Sequence, residues 1–259
     1  ITSTDPTHIL TATGTNPGSS GTFLVTVMVS GTATPATLPV SIAALGYTTI
    51  TASVDLASAG SLDTGFTPAP NRAVLGSAVQ ADGRILVIGS FWYVGLTYRV
   101  GIARLNADGT IDTTFDPSEG IGGSGSEIAN ALAVQDDGKI IVAGDFTTVD
   151  QKPRNRIARL NADGTLDTVF NAGPVWNNTI GPDATVLDLA VQSDGKVIIT
   201  GTFTTFGTTA GTTARNHIAR LNADGTLDAT FNAGTPGHPV NGLSDGYGTA
   251  LAIQSDGKI

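Results

Sequence analysis

The stretch Arg104-Leu105-Asn106-Ala107-Asp108-Gly109-Thr110-Ile111-Asp112-Thr113-Thr114-Phe115 returns almost unchanged at 159–170 and 220–231. Its second half occurs once more as Gly60-Ser61-Leu62-Asp63-Thr64-Gly65-Phe66. A second string alternates with it: Val79-Gln80-Ala81-Asp82-Gly83-Arg84, then its counterparts at 134–139, 191–196 and 253–258. Gly109, Gly164 and Gly225 are 55 and 61 residues apart, and Gly83, Gly138, Gly195 and Gly257 are 55, 57 and 62 apart. Repeats of this length signal a propeller or a solenoid.

Each copy holds two Asp-Gly turns flanked by β-branched and apolar residues, a hairpin signal. A two-residue loop at Asp108-Gly109 would set Leu105 against Asp112 and mix polar with apolar across the ladder. A three-residue loop with Gly109 left-handed pairs Leu105 with Ile111 and Arg104 with Asp112. The same rule pairs Val134 with Ile140, Ala133 with Ile141 and Leu132 with Val142. The hairpin of 131–134 and 140–143 is apolar on both faces and reads as doubly buried. The hairpin of 102–105 and 111–114 alternates and carries charge, so it is expected nearer an edge.

The fold predicted is all-β: a propeller of four-stranded antiparallel blades, about 55–62 residues per repeat, preceded by a small sandwich-like segment. A solenoid is the rival, but its coils usually pair in parallel and lack two hairpins per repeat. Residues 1–58 form the sandwich-like segment, or else divergent strands leading into the propeller. Residues 59–259 form the repeats: a last strand at 60–66, full copies at about 71–115, 127–170 and 184–231, and a partial copy at 248–259. The chain starts without an initiator methionine and stops at Gly257-Lys258-Ile259, where earlier copies open a strand. It therefore reads as a fragment of a longer protein.

Composition narrows the function. With four lysines, a formal charge of −9 and a pI near 4.5, the chain is unsuited to binding nucleic acid or anionic membranes through bulk charge. It has no cysteine, so neither disulfides nor thiolate metal sites enter. No apolar run reaches membrane-spanning length, and no insertion in the bilayer is expected of this segment. The acidic, lysine-poor, Thr-rich balance suits a secreted or cell-surface protein.

The strings Leu-Asn-Ala-Asp-Gly-Thr-Leu-Asp-x-x-Phe and Val-Gln-x-Asp-Gly-Lys resemble the delta-60 repeat, a family of bacterial propeller-like repeats, over about 60–259. The resemblance implies a large extracellular or surface-anchored protein, with sandwich modules beside the repeats and no assigned catalytic residues. The first copy departs at Phe91-Trp92-Tyr93 and at Arg99-Val100-Gly101-Ile102, which affects loops only.

No catalytic set, metal site or cofactor is expected. Asn222-x-Asp224-Gly225 has the look of a calcium loop, yet Arg220 would occupy the first ligand position. His8, His217 and His238 are dispersed. A meander places every Asp-Gly turn on one face of the disc and the variable connections on the other, and variable loops on a rigid scaffold are where function concentrates. The candidates there are Trp92, Tyr93, Tyr98, Trp176, Asn177, Asn178, Phe206, Asn216 and Tyr247, a mixture that can stack on sugar rings and bond hydroxyls. The leading expectation is a non-enzymatic structural or adhesion protein whose partners are surface proteins or polysaccharide, or further copies in a fibre. A glycan- or protein-binding module and a polysaccharide-acting propeller enzyme are the alternatives.

Overall fold

A computed structural model describes residues 65–122, 128–171, 180–231, 243 and 246–259, together with the backbone of four strands nearer the N-terminus. The chain divides into two compact units, 1–64 and 65–259. In the first unit Ile9–Thr13 pairs antiparallel with Thr26–Ser30, and Ala36–Ile42 with Ile50–Leu56. Gly60 to Thr64, part of the last strand expected at 60–66, lie outside the described residues.

Among its described residues the second unit holds three antiparallel sheets of one design, besides smaller ones. They are Val74–Val79, Ile85–Gly89 and Ile102–Leu105; Ile128–Val134, Ile140–Asp145 and Ile157–Leu160; and Val186–Val191, Val197–Gly201 and Ile218–Leu221. The register matches the hairpin rule, with Val134 opposite Ile140, Ala133 opposite Ile141 and Leu132 opposite Val142. Leu105 bridges Ile111, and Gly109 is left-handed at φ 83°. Two bonds close that turn: the Gly109 amide donates to the Asn106 carbonyl at 2.9 Å and the Asn106 amide to the Thr110 carbonyl at 2.8 Å.

The fourth strand is reduced to that one-residue bridge. Asp112 Oδ1 accepts from the Thr114 amide at 2.9 Å and from its hydroxyl at 2.6 Å, bending the chain out of the ladder. Ile102–Leu105 is the outer strand of its three-stranded sheet, as expected, but it is not exposed there: all four of its residues are buried, Arg104 included. A charged residue goes inside when its charge is fully partnered, as the arginine's is.

The sheets stack face to face. Leu86, Ile88, Ile102 and Phe115 of the first meet Ile140, Val142, Phe146 and Leu160 of the second. The opposite face of the second, with Ile141, Ala143, Ile157 and Phe170, meets Val197, Ile199, Phe203 and Leu221 of the third. Middle strands are therefore buried on both sides, as their unbroken apolar runs require. First strands of neighbouring sheets approach each other most closely. In the first sheet that strand leaves Val74, Leu75 and Val79 exposed.

Polar bonds repeat across each boundary. Arg104 Nη1 donates to the Ala162 carbonyl at 2.7 Å, and Arg159 Nη1 to the Ala223 carbonyl at 2.8 Å. The Asp116 amide donates to the Asp163 carbonyl at 2.8 Å, and the Asn171 amide to the Asp224 carbonyl at 2.9 Å. This approach is why the turn glycine is needed: a Cβ on Gly164 would lie 2.9 Å from the Asp116 nitrogen and 3.1 Å from Phe115 Cδ2. Phe66 is placed against Gly109 in the same manner, with Cδ2 at 2.9 Å from such a Cβ. It thus supplies to the first sheet what Phe115 and Phe170 supply to the next two.

Candidate functional site

The strand pairings send both Asp-Gly turns of a sheet to one end and the connection between its second and third strands to the other. At the constant end the charged residues are engaged with one another. Asp112 accepts from Arg104 Nε at 2.7 Å, Asp167 from Arg159 Nε at 2.8 Å and Lys139 Nζ at 2.9 Å, and Asp228 from Arg220 Nε at 2.9 Å and Lys196 Nζ at 3.0 Å. The three guanidinium groups lie 4.9, 4.7 and 4.8 Å from the ring centroids of Phe115, Phe170 and Phe231.

Burial alone would raise these carboxyl groups, but bonding outweighs it. The Thr114 hydroxyl and amide and Arg104 hold Asp112 at about 2; Lys139, the Val169 amide and Arg159 hold Asp167 at about 2. For Asp228 the Thr230 hydroxyl leads, and its carboxyl too is held far below the usual range. These groups are therefore ionised near neutrality. The turn carboxylates are also spoken for. Asp108 Oδ1 accepts from the Thr110 hydroxyl at 2.6 Å and its amide at 2.9 Å, and the Asn106 side-chain amide donates to the same hydroxyl at 2.9 Å. A shallow hollow of about 830 Å³ lies at this end, lined by Arg84, Arg104 and the turn residues of two repeats.

The variable end, where loops are expected, carries three short hairpins among the described residues. Tyr93–Val94 pairs with Thr97–Tyr98, Thr148–Val149 with Lys152–Pro153, and Thr205–Thr208 with Gly211–Ala214. Each hairpin also pairs with the segment ahead of its own sheet, through Pro70, Ile121–Gly122 or Gly181–Pro182. Side chains hold two of them: Asn71 Oδ1 accepts the amides of Trp92 and Tyr93 at 2.9 and 3.0 Å, and Asp183 Oδ1 those of Thr204 and Thr205 at 2.8 and 2.9 Å. Alternating β-formers around Gly95, as in Tyr93-Val94-Gly95-Leu96-Thr97-Tyr98, were the available signal.

Between the first two hairpins lies a cleft of about 380 Å³, lined by Trp92, Tyr93, Tyr98, Glu119, Thr148 and Gln151 with Val100 and residues 120–122. The three aromatic residues are 41%, 41% and 45% exposed. Tyr93 and Tyr98 meet edge to face at 5.4 Å, and the Arg72 guanidinium lies 4.1 Å from the Trp92 ring centroid. Across the cleft, Asp150 and Gln151 both have left-handed backbone, at φ 49° and 57°, and Lys152 binds the Asp150 carboxylate. That lysine, with the Ser118 hydroxyl adding to it, holds the Asp150 carboxyl below its ordinary value. Two successive non-glycine residues in this region cost about 1 kcal/mol or more each, and such strain clusters at functional sites.

Three of the nine sequence candidates, Trp92, Tyr93 and Tyr98, thus share one site. Phe206 does not join them: it is 1% exposed within the core between the second and third sheets, because its hairpin is a strand that folds inward. Asn216 is half-buried, and its carbonyl accepts from the Leu243 amide at 3.0 Å. Tyr247 is exposed and lines no part of this cleft. Trp176, Asn177 and Asn178 lie outside the described residues. Glu119, Thr148 and Gln151 were not anticipated, since nothing in their local sequence says that they face the aromatic hairpin.

Residues 80–115, 135–170 and 192–231 match the family model described as "Domain of unknown function (DUF5122) beta-propeller". The repeats are β-propeller repeats. No curated protein and no solved structure matches the chain. The matched spans run from the Gln of the second string to the terminal Phe of the first, so they contain the second and third strands of each sheet and the hairpin between them, and begin just after its first strand.

Proposed function

We propose that this propeller is a non-catalytic scaffold of an extracellular bacterial surface or secreted protein, serving structure and adhesion, with its variable end as the binding face. One observation carries the reading. The charged side chains common to the three repeats bond within or between blades, whereas the exposed aromatic cluster sits where the repeats differ. The repeats are read as delta-60 repeats, and that resemblance supports a bacterial surface location. Surface proteins or polysaccharide are the proposed partners, in a stalk, fibre or adhesin. The formal charge of −9 disfavours nucleic acid.

The test replaces the hairpin at 93–98 and that at 148–153 by two-residue turns in the protein displayed on cells, and scores attachment of those cells to glycan-coated and protein-coated surfaces. Attachment lost while circular dichroism and melting temperature hold supports the reading. Attachment unchanged, or turnover of polysaccharide by the purified protein, overturns it.

A further inference from the structure

We infer that the cleft between the hairpins at 93–98 and 148–153 binds one sugar unit of a neutral polysaccharide. The inference rests on the reading of the variable end as a binding face, and adds the ligand. A pyranose has an apolar C–H face and a rim of hydroxyl groups. The cleft offers the complement of both: exposed aromatic rings, whose π faces are electron-rich and attract C–H groups, and a polar opposite side. Glu119 accepts, the Gln151 carboxamide donates and accepts, and the Thr148 hydroxyl does either. A volume of about 380 Å³ lies at the lower end of ligand sites, roughly 300–1,000 Å³.

Other ligand classes fit less well. No lysine or arginine lines the cleft, so an anionic sugar or phosphate would find no directly bonded counter-charge; Arg72, outside the lining, lies against the Trp92 ring at 4.1 Å. Three aromatics beside a carboxylate are the usual makings of a cage for an organic cation. Here the Arg72 guanidinium already lies 4.1 Å from the Trp92 ring centroid and would repel a second positive charge. A purely apolar ligand would strip water from Glu119 and Gln151 without replacing its bonds.

The site is also prepared in advance. The Asn71 side chain fixes the backbone of Trp92 and Tyr93, and the edge-to-face contact sets the two tyrosines. The Asp150 amide, bonded to the Gly120 carbonyl at 2.9 Å, and the Lys152–Asp150 ion pair hold the opposing turn. Little ordering is then left for binding to impose. An open cleft holding one ring of about twelve heavy atoms at ordinary ligand efficiency gives a dissociation constant of roughly 1 mM, tighter for a chain that runs beyond the cleft.

The experiment uses the intact chain and four probes: cellohexaose, mannohexaose, polygalacturonate as the acidic control and tetramethylammonium as the cationic one. Saturation-transfer NMR and calorimetric titration are the readouts. At least one neutral oligosaccharide should bind, with about tenfold loss in both Trp92→Ala and Tyr98→Ala and no change in Leu96→Ala, a fully exposed residue of the same hairpin that does not line the cleft. Unchanged melting temperatures show that the variants fold. Preference for either control probe, no binding of the neutral sugars, or binding that survives both aromatic substitutions overturns the inference. If cell attachment still depends on the hairpins while no sugar binds, the ligand assignment fails and the binding face stands.

Discussion

Asp167→Asn tests whether the repeated ion cluster holds each blade together. The carboxylate is 6% exposed and accepts from Lys139, Arg159 and the Val169 amide. Asparagine keeps the shape and removes the charge, leaving Arg159 and Lys139, 12% and 33% exposed, without their shared anion. The folded group lies at about 2 against an ordinary 3.8, and at about 1.4 kcal/mol per unit the anion contributes about 2 kcal/mol. A folded value below the unfolded one means stability that is complete above pH 3.8 and is lost as pH falls through about 2. The variant should therefore lose about 2 kcal/mol at neutral pH, or about 4–8 °C in melting temperature for a domain of this size. Near pH 2.5 its deficit should shrink below about 1 kcal/mol, because the unfolded carboxyl is by then largely protonated and the folded one, though still mostly ionised, is close to its own titration. Urea unfolding of the two proteins at both pH values measures this. A deficit equal at the two pH values would refute the electrostatic account, and no deficit at neutral pH would refute the cluster's contribution altogether.

Two glycines separate backbone strain from crowding between blades. Gly138→Ala meets only the Ala162 Cβ at 3.5 Å and should cost about 1 kcal/mol from its left-handed backbone, whereas Gly164→Ala must also push back the Asp116 amide and should cost at least about twice that in urea melts. Equal costs would mean that the inter-blade approach is not the constraint. Phe146→Ala, at a fully buried site between the first two sheets, should lose about 3–5 kcal/mol by thermal unfolding, and a loss under about 1 kcal/mol would contradict the packing described. Arg104→Met should speed hydrogen exchange of the Asp116 amide, since the Ala162–Asp163 turn that this amide bonds is held from the first blade by Arg104. Exchange confined to the turn at 106–110 would show that the arginine acts within its own blade alone.

Much of the fold was legible because a repeat with two Asp-Gly turns leaves few solutions. Leu105 opposite Ile111 and Val134 opposite Ile140 follow from matching apolar to apolar, and the left-handed Gly109 follows from the loop length that this register needs. Local rules stop where a partner lies far along the chain. Arg104 looked like an edge residue because its neighbours alternate, yet it is buried by Asp112, by Phe115 and by a carbonyl 58 residues away in the next blade.

The aromatic residues at 92, 93 and 98 could be picked out from the sequence, because exposed Trp and Tyr in a variable segment stand out against a constant scaffold. Glu119, Thr148 and Gln151 could not, and neither could the inward turn of Phe206. Their positions depend on how one blade sets its hairpin against the next, which is decided by stacking sheets whose contacts are distant in sequence. The repeat determined the blade; the packing of blades decided which side chains meet in a cleft and which are sealed in the core.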